Sequence, residues 1–508
     1  MFSIDQWKST VLRALLLTCL ALKLSTSQAL SQVSSDSLSL SVGTGFYFSG
    51  DNAFLPHYIQ FGSYGEVDAT DVLFVKGDAF YQNKLSKSFD ISLGVSFRND
   101  VLSSAYFRAK YRNWRLEIGR VQREVGGTSS GLGTGSLAIS NNATPVPMLI
   151  LGNDDYFSVP FTHDYFKLKG NLAHGWLESA RYISKAQLHY KSFHAQVDLS
   201  RELGLKVSSG IIHFAQFGGY DPNGVKQPSS FDDYLKVFLG EGIPNPDGTM
   251  AGESNAVGNH LGITEITLEK EFGSHNLTLN YQKPFEDEGG IQYISLTDYM
   301  ISLNWELPAK DIGIRRVQLE MVQSKWQGGP GIPDPTRNIQ TIEDNQGYDF
   351  GQRDDYYNNY LYRSGWTYNG MVIGNPLFLT YARTLNFFEV YSNHGVAIAN
   401  NRLWALNLGV SGALTKSIDL KWLFTYSRNF GSYAGLYDGR FSWNGILSDP
   451  DFDYPFRPEQ TQFYSVIELG IKNIGPTQRG ILNIKIAQDF GDMYDLFGLE
   501  LSYNHRIY

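Results

Sequence analysis

Two stretches of this sequence crowd aromatic rings against carboxylates and amides. In the first, Trp326, Tyr348, Tyr356, Tyr357, Tyr360, Tyr362, Trp366 and Tyr368 are interleaved with Asp349, Asp354, Asp355, Asn358 and Asn359. In the second, Tyr433, Tyr437, Trp443 and Tyr454 stand among Asp438, Arg440, Asp449 and Asp451. This mixture suits sugar recognition: the C–H face of a pyranose stacks on a ring, while carboxylates and amides take its hydroxyls. On that chemistry the glycan-binding candidates are Tyr356, Tyr357, Trp366 and Tyr368 for stacking, with Asp354, Asp355 and Asn358 for hydroxyls. The same aromatics would serve equally to knit loops together or to form an interfacial girdle.

Other spellings of reactive sites fail on their context. Gly127-Thr128-Ser129-Ser130-Gly131 matches a nucleophile elbow, which needs a strand before it and a helix after it. The following Leu132-Gly133-Thr134-Gly135-Ser136 starts no helix, and the glycine cluster lacks the Lys-Ser/Thr pair of a phosphate loop. Asp449, Asp451 and Asp453 imitate the first ligands of a calcium loop, but Tyr454 stands where that loop needs glycine and Gln460 where it needs a bidentate glutamate. The 10 histidines contain no His-Glu-x-x-His pair. No catalytic residue, metal ligand or cofactor is assigned, and the expectation is a protein that is not an enzyme.

The elements that must position these residues are strands. Aromatics make up 14% of the chain, with 31 Tyr, 32 Phe and 51 Gly, a composition suited to strands and interfacial girdles. A net charge of -9 argues against a nucleic-acid partner, whose phosphates demand basic surface. Lys8 and Arg13 precede an apolar run from Ala14 to Leu22, and Ser27-Gln28-Ala29 supplies small residues for cleavage before Leu30. Residues 1–29 are therefore expected to be a signal peptide, with acylation of Cys19, the only cysteine, as a rival reading.

Beyond Leu30 the sequence alternates with a period of two. Ile91, Leu93, Val95 and Phe97 share one face; so do Ile301, Leu303, Trp305 and Leu307; Val317, Leu319 and Met321; Ile418, Leu420, Trp422, Phe424 and Tyr426; and Leu482, Ile484 and Ile486. About 16 to 20 such segments of about 9 to 12 residues predict an all-β, antiparallel transmembrane barrel over residues 30–508 in an outer membrane. Only a closed sheet satisfies every backbone group in lipid. Tight turns are expected at Tyr111-Arg112-Asn113, Lys191-Ser192 and Gly273-Ser274-His275, and long outer loops over 218–257, 325–355 and 429–460. The stretch 123–163, rich in glycine and broken by Pro145, Pro147 and Pro160, is expected to fold inward as a loop or plug. The chain ends on an alternating strand from Phe497 to Tyr508.

Four blocks resemble a known family. Asp354-Asp355-Tyr356-Tyr357-Asn358-Asn359-Tyr360, Arg363-Ser364-Gly365-Trp366-Thr367-Tyr368 and Ile373-Gly374-Asn375-Pro376-Leu377 look like the signature region of Wzi-type capsule assembly proteins, in a form closest to the Bacteroidota branch. Phe231-Asp232-Asp233-Tyr234-Leu235-Lys236-Val237-Phe238-Leu239-Gly240 resembles a short segment that such proteins carry before a barrel strand. The resemblance implies a barrel of about 18 strands that binds and anchors capsular or other surface polysaccharide without catalysis, its partners being that polysaccharide and outer-membrane lipid. Enteric members also have a periplasmic helical bundle near the N-terminus, whereas residues 30–70 here carry no long helical period. Two alternatives stay open: a porin for small solutes, and a structural subunit bound to other outer-membrane proteins.

Overall fold

The computed structural model describes residues 35–50, 54–67, 72–127, 131–153, 155–242, 256–286, 297–308, 310–327, 354–388, 397–433, 454–456 and 458–507. The expected signal peptide, Tyr348, Asp349 and most of the second aromatic stretch lie outside them, as do Asp449, Asp451 and Asp453.

Alternation becomes a closed antiparallel barrel of 18 strands. In chain order these are β1 (Ser35–Ser49), β2 (Leu73–Lys84), β3 (Phe89–Arg98), β4 (Val101–Tyr111), β5 (Trp114–Arg120), β6 (Met148–Gly152), β7 (Phe166–Trp176), β8 (Gln187–Ser200) and β9 (Leu205–Phe217). They continue as β10 (Asn259–Phe272), β11 (His275–Phe285), β12 (Tyr299–Glu306), β13 (Gly313–Gln323), β14 (Leu403–Thr415), β15 (Ile418–Asn429), β16 (Gln460–Ile474), β17 (Gly480–Gly491) and β18 (Leu496–Arg506). Each pairs with its sequence neighbour, Phe157–Ser158 prolongs β6 against β7, and β1 closes the circle on β18 from Ser41↔Arg506 to Ser49↔Gly498. Where enteric relatives are expected to carry a helical bundle, residues 35–49 are strand β1, followed by a single helical turn, α1 (His57–Gln60).

The alternation faces the way a membrane requires. On β12, Leu303 and Trp305 are exposed while Met300, Ser302 and Asn304 are buried; on β13, Leu319 is exposed while Gln318 and Glu320 are buried. Apolar side chains thus point outward to lipid and polar ones into the lumen, the reverse of a soluble core. Lys485 of β17 and Glu500 of β18 form one of the ion pairs inside, 3.3 Å apart. The final strand keeps this phase, with Phe497 outward and Glu500 and Ser502 inward.

Turns at 112–113 and 273–274 are tight, as expected, but Lys191 and Ser192 lie within β8. The misreading has a physical cause. Lys191 and His189 point outward from β8, where lipid-facing side chains should be apolar, yet both are covered by a helix, α2 (Phe231–Leu239), lying against the outside of the wall. The longest connection also exceeds the expected 325–355: it runs from Ser324 to Arg402, because the signature region forms no barrel strand.

Candidate functional site

The long connections leave one end of the barrel, and much of their length turns back inside it. After β5 the chain enters the lumen at Val121. Arg123 pairs with Glu117 of β5, which also holds Arg108 of β4 at 2.6 Å. The backbone N–H of Gly127 donates to Glu265 of β10 at 3.2 Å. Thr134 donates through its backbone N–H and its hydroxyl to Glu320 of β13, at 2.7 and 2.5 Å. Asn407 of β14 donates its amide to the carbonyl of Leu132 at 2.8 Å. Residues 121–127 and 131–147 are thus stitched to inward-facing side chains of four strands, whereas 148–152 and 157–158 of the expected inward stretch belong to the wall.

The signature region supplies the second half of this insert. Trp366 donates its indole N–H to the carbonyl of Ala138 at 2.8 Å, and Tyr357 donates its hydroxyl to the carbonyl of Leu137 at 2.5 Å. The Asn375 amide reaches the Thr134 hydroxyl at 2.9 Å and the Gly135 carbonyl at 2.8 Å. Asn142 donates to the carbonyl of Val372 at 2.8 Å. The two segments form one apolar core with inward residues of the wall; Phe214 of β9 meets Trp366 at a ring distance of 5.4 Å. Polar backbone that no β-ladder can satisfy is thereby paired within the insert, as burial demands.

The structure brings the expected glycan residues together, but as interior. Tyr356, Tyr357, Trp366 and Tyr368 are each at most 2% exposed, and Asn358 is 5% exposed. Asn358 exchanges two 2.9 Å hydrogen bonds with the backbone of Ile398. Asp355 accepts from the Asn401 amide at 2.8 Å, Tyr368 accepts from Arg120 at 2.9 Å, and the backbone N–H of Asp354 reaches the Gln327 carbonyl at 3.3 Å. The rings are part of the interior: Tyr357 and Trp366 donate to buried carbonyls, and Tyr368 accepts from the half-buried Arg120 guanidinium. Burial pushes the Tyr357 hydroxyl well above its ordinary pKa.

What stays exposed above this core is a smaller set. Tyr182, Tyr220 and Tyr360 are 38%, 39% and 57% exposed. The Arg363 guanidinium lies 4.9 Å over the Tyr182 ring and donates to the Tyr360 carbonyl at 3.0 Å. The Tyr182 backbone N–H donates to the Ser364 hydroxyl at 2.8 Å, and Ser184 pairs with the backbone of Tyr220 at 2.9 Å. Three outer connections therefore meet in one surface. The Arg363-Ser364 pair was legible within the signature block; Tyr182 and Tyr220 carried no signal in the sequence, since isolated tyrosines are common in such a chain.

Below the insert, α1 seals the side near β17. The backbone N–H of His57 donates to Asp489 at 2.6 Å, and Arg383 ties Gln60 and the Leu55 carbonyl at 2.8 and 3.0 Å. Burial, with the nearby Arg383 charge, lowers the His57 pKa to about 3. A cavity of about 90 Å³ remains between α1, the insert and the wall, lined by Tyr58, Glu124, Thr134, Glu320, Lys421 and Lys485. Burial raises the pKa of Glu124. Among the described residues no three His, Cys, Asp or Glu side chains converge as a metal site. Of the elbow spelling, residues 128–130 lie outside the described residues, and the chain after it, from Gly131 to Thr134, forms bends and no helix.

Comparison with known proteins agrees with this architecture. No curated protein sequence matches the chain. Among solved structures, the Escherichia coli outer-membrane protein Wzi, a carbohydrate-binding β-barrel involved in group 1 capsule assembly, superposes with a TM-score of 0.53 at 12% identity, covering 91% of this chain and 83% of that one. The Pseudomonas aeruginosa barrel OpdL gives 0.43 at 9% identity, over 94% and 99% of the two chains. The family model of the capsule assembly protein Wzi matches residues 57–302, which span α1, the strands from β2 into β12, and the first half of the insert. Over those residues this outer-membrane β-barrel carries the pattern of the Wzi capsule assembly family.

Proposed function

We propose that this protein binds capsular or other surface polysaccharide at the outer face of the barrel and anchors it there without catalysis. The observation that carries the reading is the joined surface of Tyr182, Tyr220, Tyr360 and Arg363 resting on the buried signature core. Exposed rings offer C–H stacking faces, and the guanidinium is a fork of donors suited to hydroxyls or carboxylates of an acidic sugar. The seven signature residues then act through shape. Asp354, Asp355, Tyr356, Tyr357, Asn358, Trp366 and Tyr368 hold the outer connections at a fixed height, and the insert keeps the barrel from serving as a passage. The family match and the carbohydrate-binding barrel of Wzi support the same role.

The test is direct binding of purified surface polysaccharide from the host to the detergent-purified barrel. Tyr182→Ala combined with Tyr360→Ala is expected to weaken binding at least fivefold, about 1 kcal/mol, with an unchanged thermal midpoint. Unaltered affinity in that double variant removes the surface assignment. No affinity of the wild type for any host glycan removes the function.

A further inference from the structure

The helix α2 interrupts a connection between two wall strands, and both of its ends are fixed. Ser230 caps its N-terminus, accepting from the Asp233 backbone N–H at 3.1 Å, while the Asp233 carboxylate accepts from the Ser230 N–H at 2.8 Å. Gly240 ends it in the left-handed conformation, φ 76°. Such a capping box and glycine stop fix both ends of a short helix that would be marginal alone.

Its sequence divides into three faces. Tyr234, Val237 and Phe238 face the barrel: Val237 packs with Ala215, Phe217 and Val257, and the His189 ring meets those of Tyr234 and Phe238 at 5.4 and 5.5 Å. Lys191 reaches the Phe238 carbonyl at the helix C-terminus and lies 4.3 Å over the Phe238 ring. Phe231, Leu235 and Leu239, spaced by four, form an apolar stripe that is 73%, 43% and 64% exposed. Asp232, Asp233 and Lys236 form a polar face. At roughly 100° per residue the centres of these faces lie roughly 105 to 150° apart. An amphipathic helix between protein and water needs two faces. A third, apolar and uncovered among the described residues, requires a third medium.

The wall identifies that medium. The covered side chains His189, Ala215 and His260 stand in one row across β8, β9 and β10, on the same outward face as Phe193 and Ile211. Phe193 and Ile211 are 54% and 40% exposed, part of the apolar band that faces lipid. The row lies toward the outer ends of those strands. We propose that α2 is an in-plane membrane helix, lying at the boundary of the outer leaflet with Phe231, Leu235 and Leu239 among lipid acyl chains and its acidic face toward water. The apolar stripe continues the lipid-facing band past the level where the wall itself turns polar. That placement is the geometry of interfacial helices, here held sideways on a barrel.

The wild-type protein tests this in phosphatidylcholine vesicles containing a phospholipid with a photoactivatable diazirine on its acyl chain. Adducts are expected on the peptide containing residues 231–239 as well as on those containing Phe193 and Ile211. Adducts on the wall peptides alone overturn the proposal, as does a cross-link between two copies that shields the stripe from lipid. A second reading uses an environment-sensitive fluorophore on Leu235→Cys or Asp232→Cys, the sequence containing no cysteine after Cys19. Quenching by brominated acyl chains should be at least twofold stronger at position 235, and equal quenching at the two positions also overturns it.

Discussion

Trp366 and Ala138 are 228 residues apart in sequence and joined by one hydrogen bond, from the indole N–H to the backbone carbonyl at 2.8 Å. That bond locks the two halves of the lumenal insert. Truncating a buried tryptophan leaves a large void, and Trp366→Ala is expected to cost about 3–5 kcal/mol. Trp366→Phe retains most of the ring but orphans the Ala138 carbonyl, at about 1–3 kcal/mol. Calorimetry of the detergent-purified protein reads both. Channel conductance in planar bilayers should rise in the alanine variant, and an unchanged conductance would show that the insert closes without this lock.

The Tyr357 hydroxyl makes two contacts at once, donating to the Leu137 carbonyl and accepting from the Asn375 backbone N–H at 3.1 Å. Tyr357→Phe removes one atom and leaves both partners buried. A loss of about 1–3 kcal/mol is expected from that alone. Because this ring is buried, glycan affinity should follow stability in this variant. A selective loss of binding at full stability would instead return Tyr357 to direct contact with sugar.

At Gly409 of β14 the insert packs directly against the backbone of the wall. A Cβ there would run into the carbonyl and side chain of Leu132. Glycine in a strand interior commonly marks such an approach. Gly409→Ala should displace the insert at a cost of about 1–3 kcal/mol, without touching the outer surface. Limited proteolysis within residues 121–147 checks this, and equal resistance of wild type and variant contradicts it.

Acid should loosen the underside of the insert through His57. Its folded pKa is lowered to about 3, against 6.5 for an unburied imidazole. The unfolded chain therefore binds a proton that the folded one refuses between those values. The stability that depends on neutral His57 is complete above about pH 6.5 and is lost as pH falls toward about 3. His57→Phe keeps a ring against Tyr464, 4.4 Å away in the wild type, and removes the titration. The variant's thermal midpoint should fall less than the wild type's between pH 7.5 and 4; parallel curves at the two pH values would refute the assignment.

Most of the wall was readable because its strands obey one local rule. Ile301, Leu303 and Trp305 against Ser302 and Asn304 declare both the strand and its lipid-facing side. The rule fails where a second element changes the surroundings of one face. Lys191 looked like a turn because α2 hides it, and no local pattern announces a helix lying on the outside of a barrel. The insert was legible in composition but not in pairing. Glycine and proline in 123–163 signalled an inward excursion, yet Trp366 and Ala138 meet only through the closed fold. The same distance hid the role of the signature residues: Tyr and Trp among Asp and Asn suit sugars, and they equally suit a buried joint whose carbonyls need donors.

The seam between β1 and β18 carries a consequence for biogenesis. It joins the first and last wall strands, so the cylinder is complete only when the most C-terminal strand has arrived. The insert uses residues from 121–127, 131–147, 354–388 and 397–402, bonded to each other and to strands on several sides of the lumen. A finished cylinder would leave those segments only its narrow mouth as an entrance. Packing of the interior is therefore best accomplished while the sheet is still open along this seam, making the insert a scaffold around which the wall curls. On that sequence of events, defects such as Gly409→Ala should slow maturation in the cell more than they weaken the finished molecule.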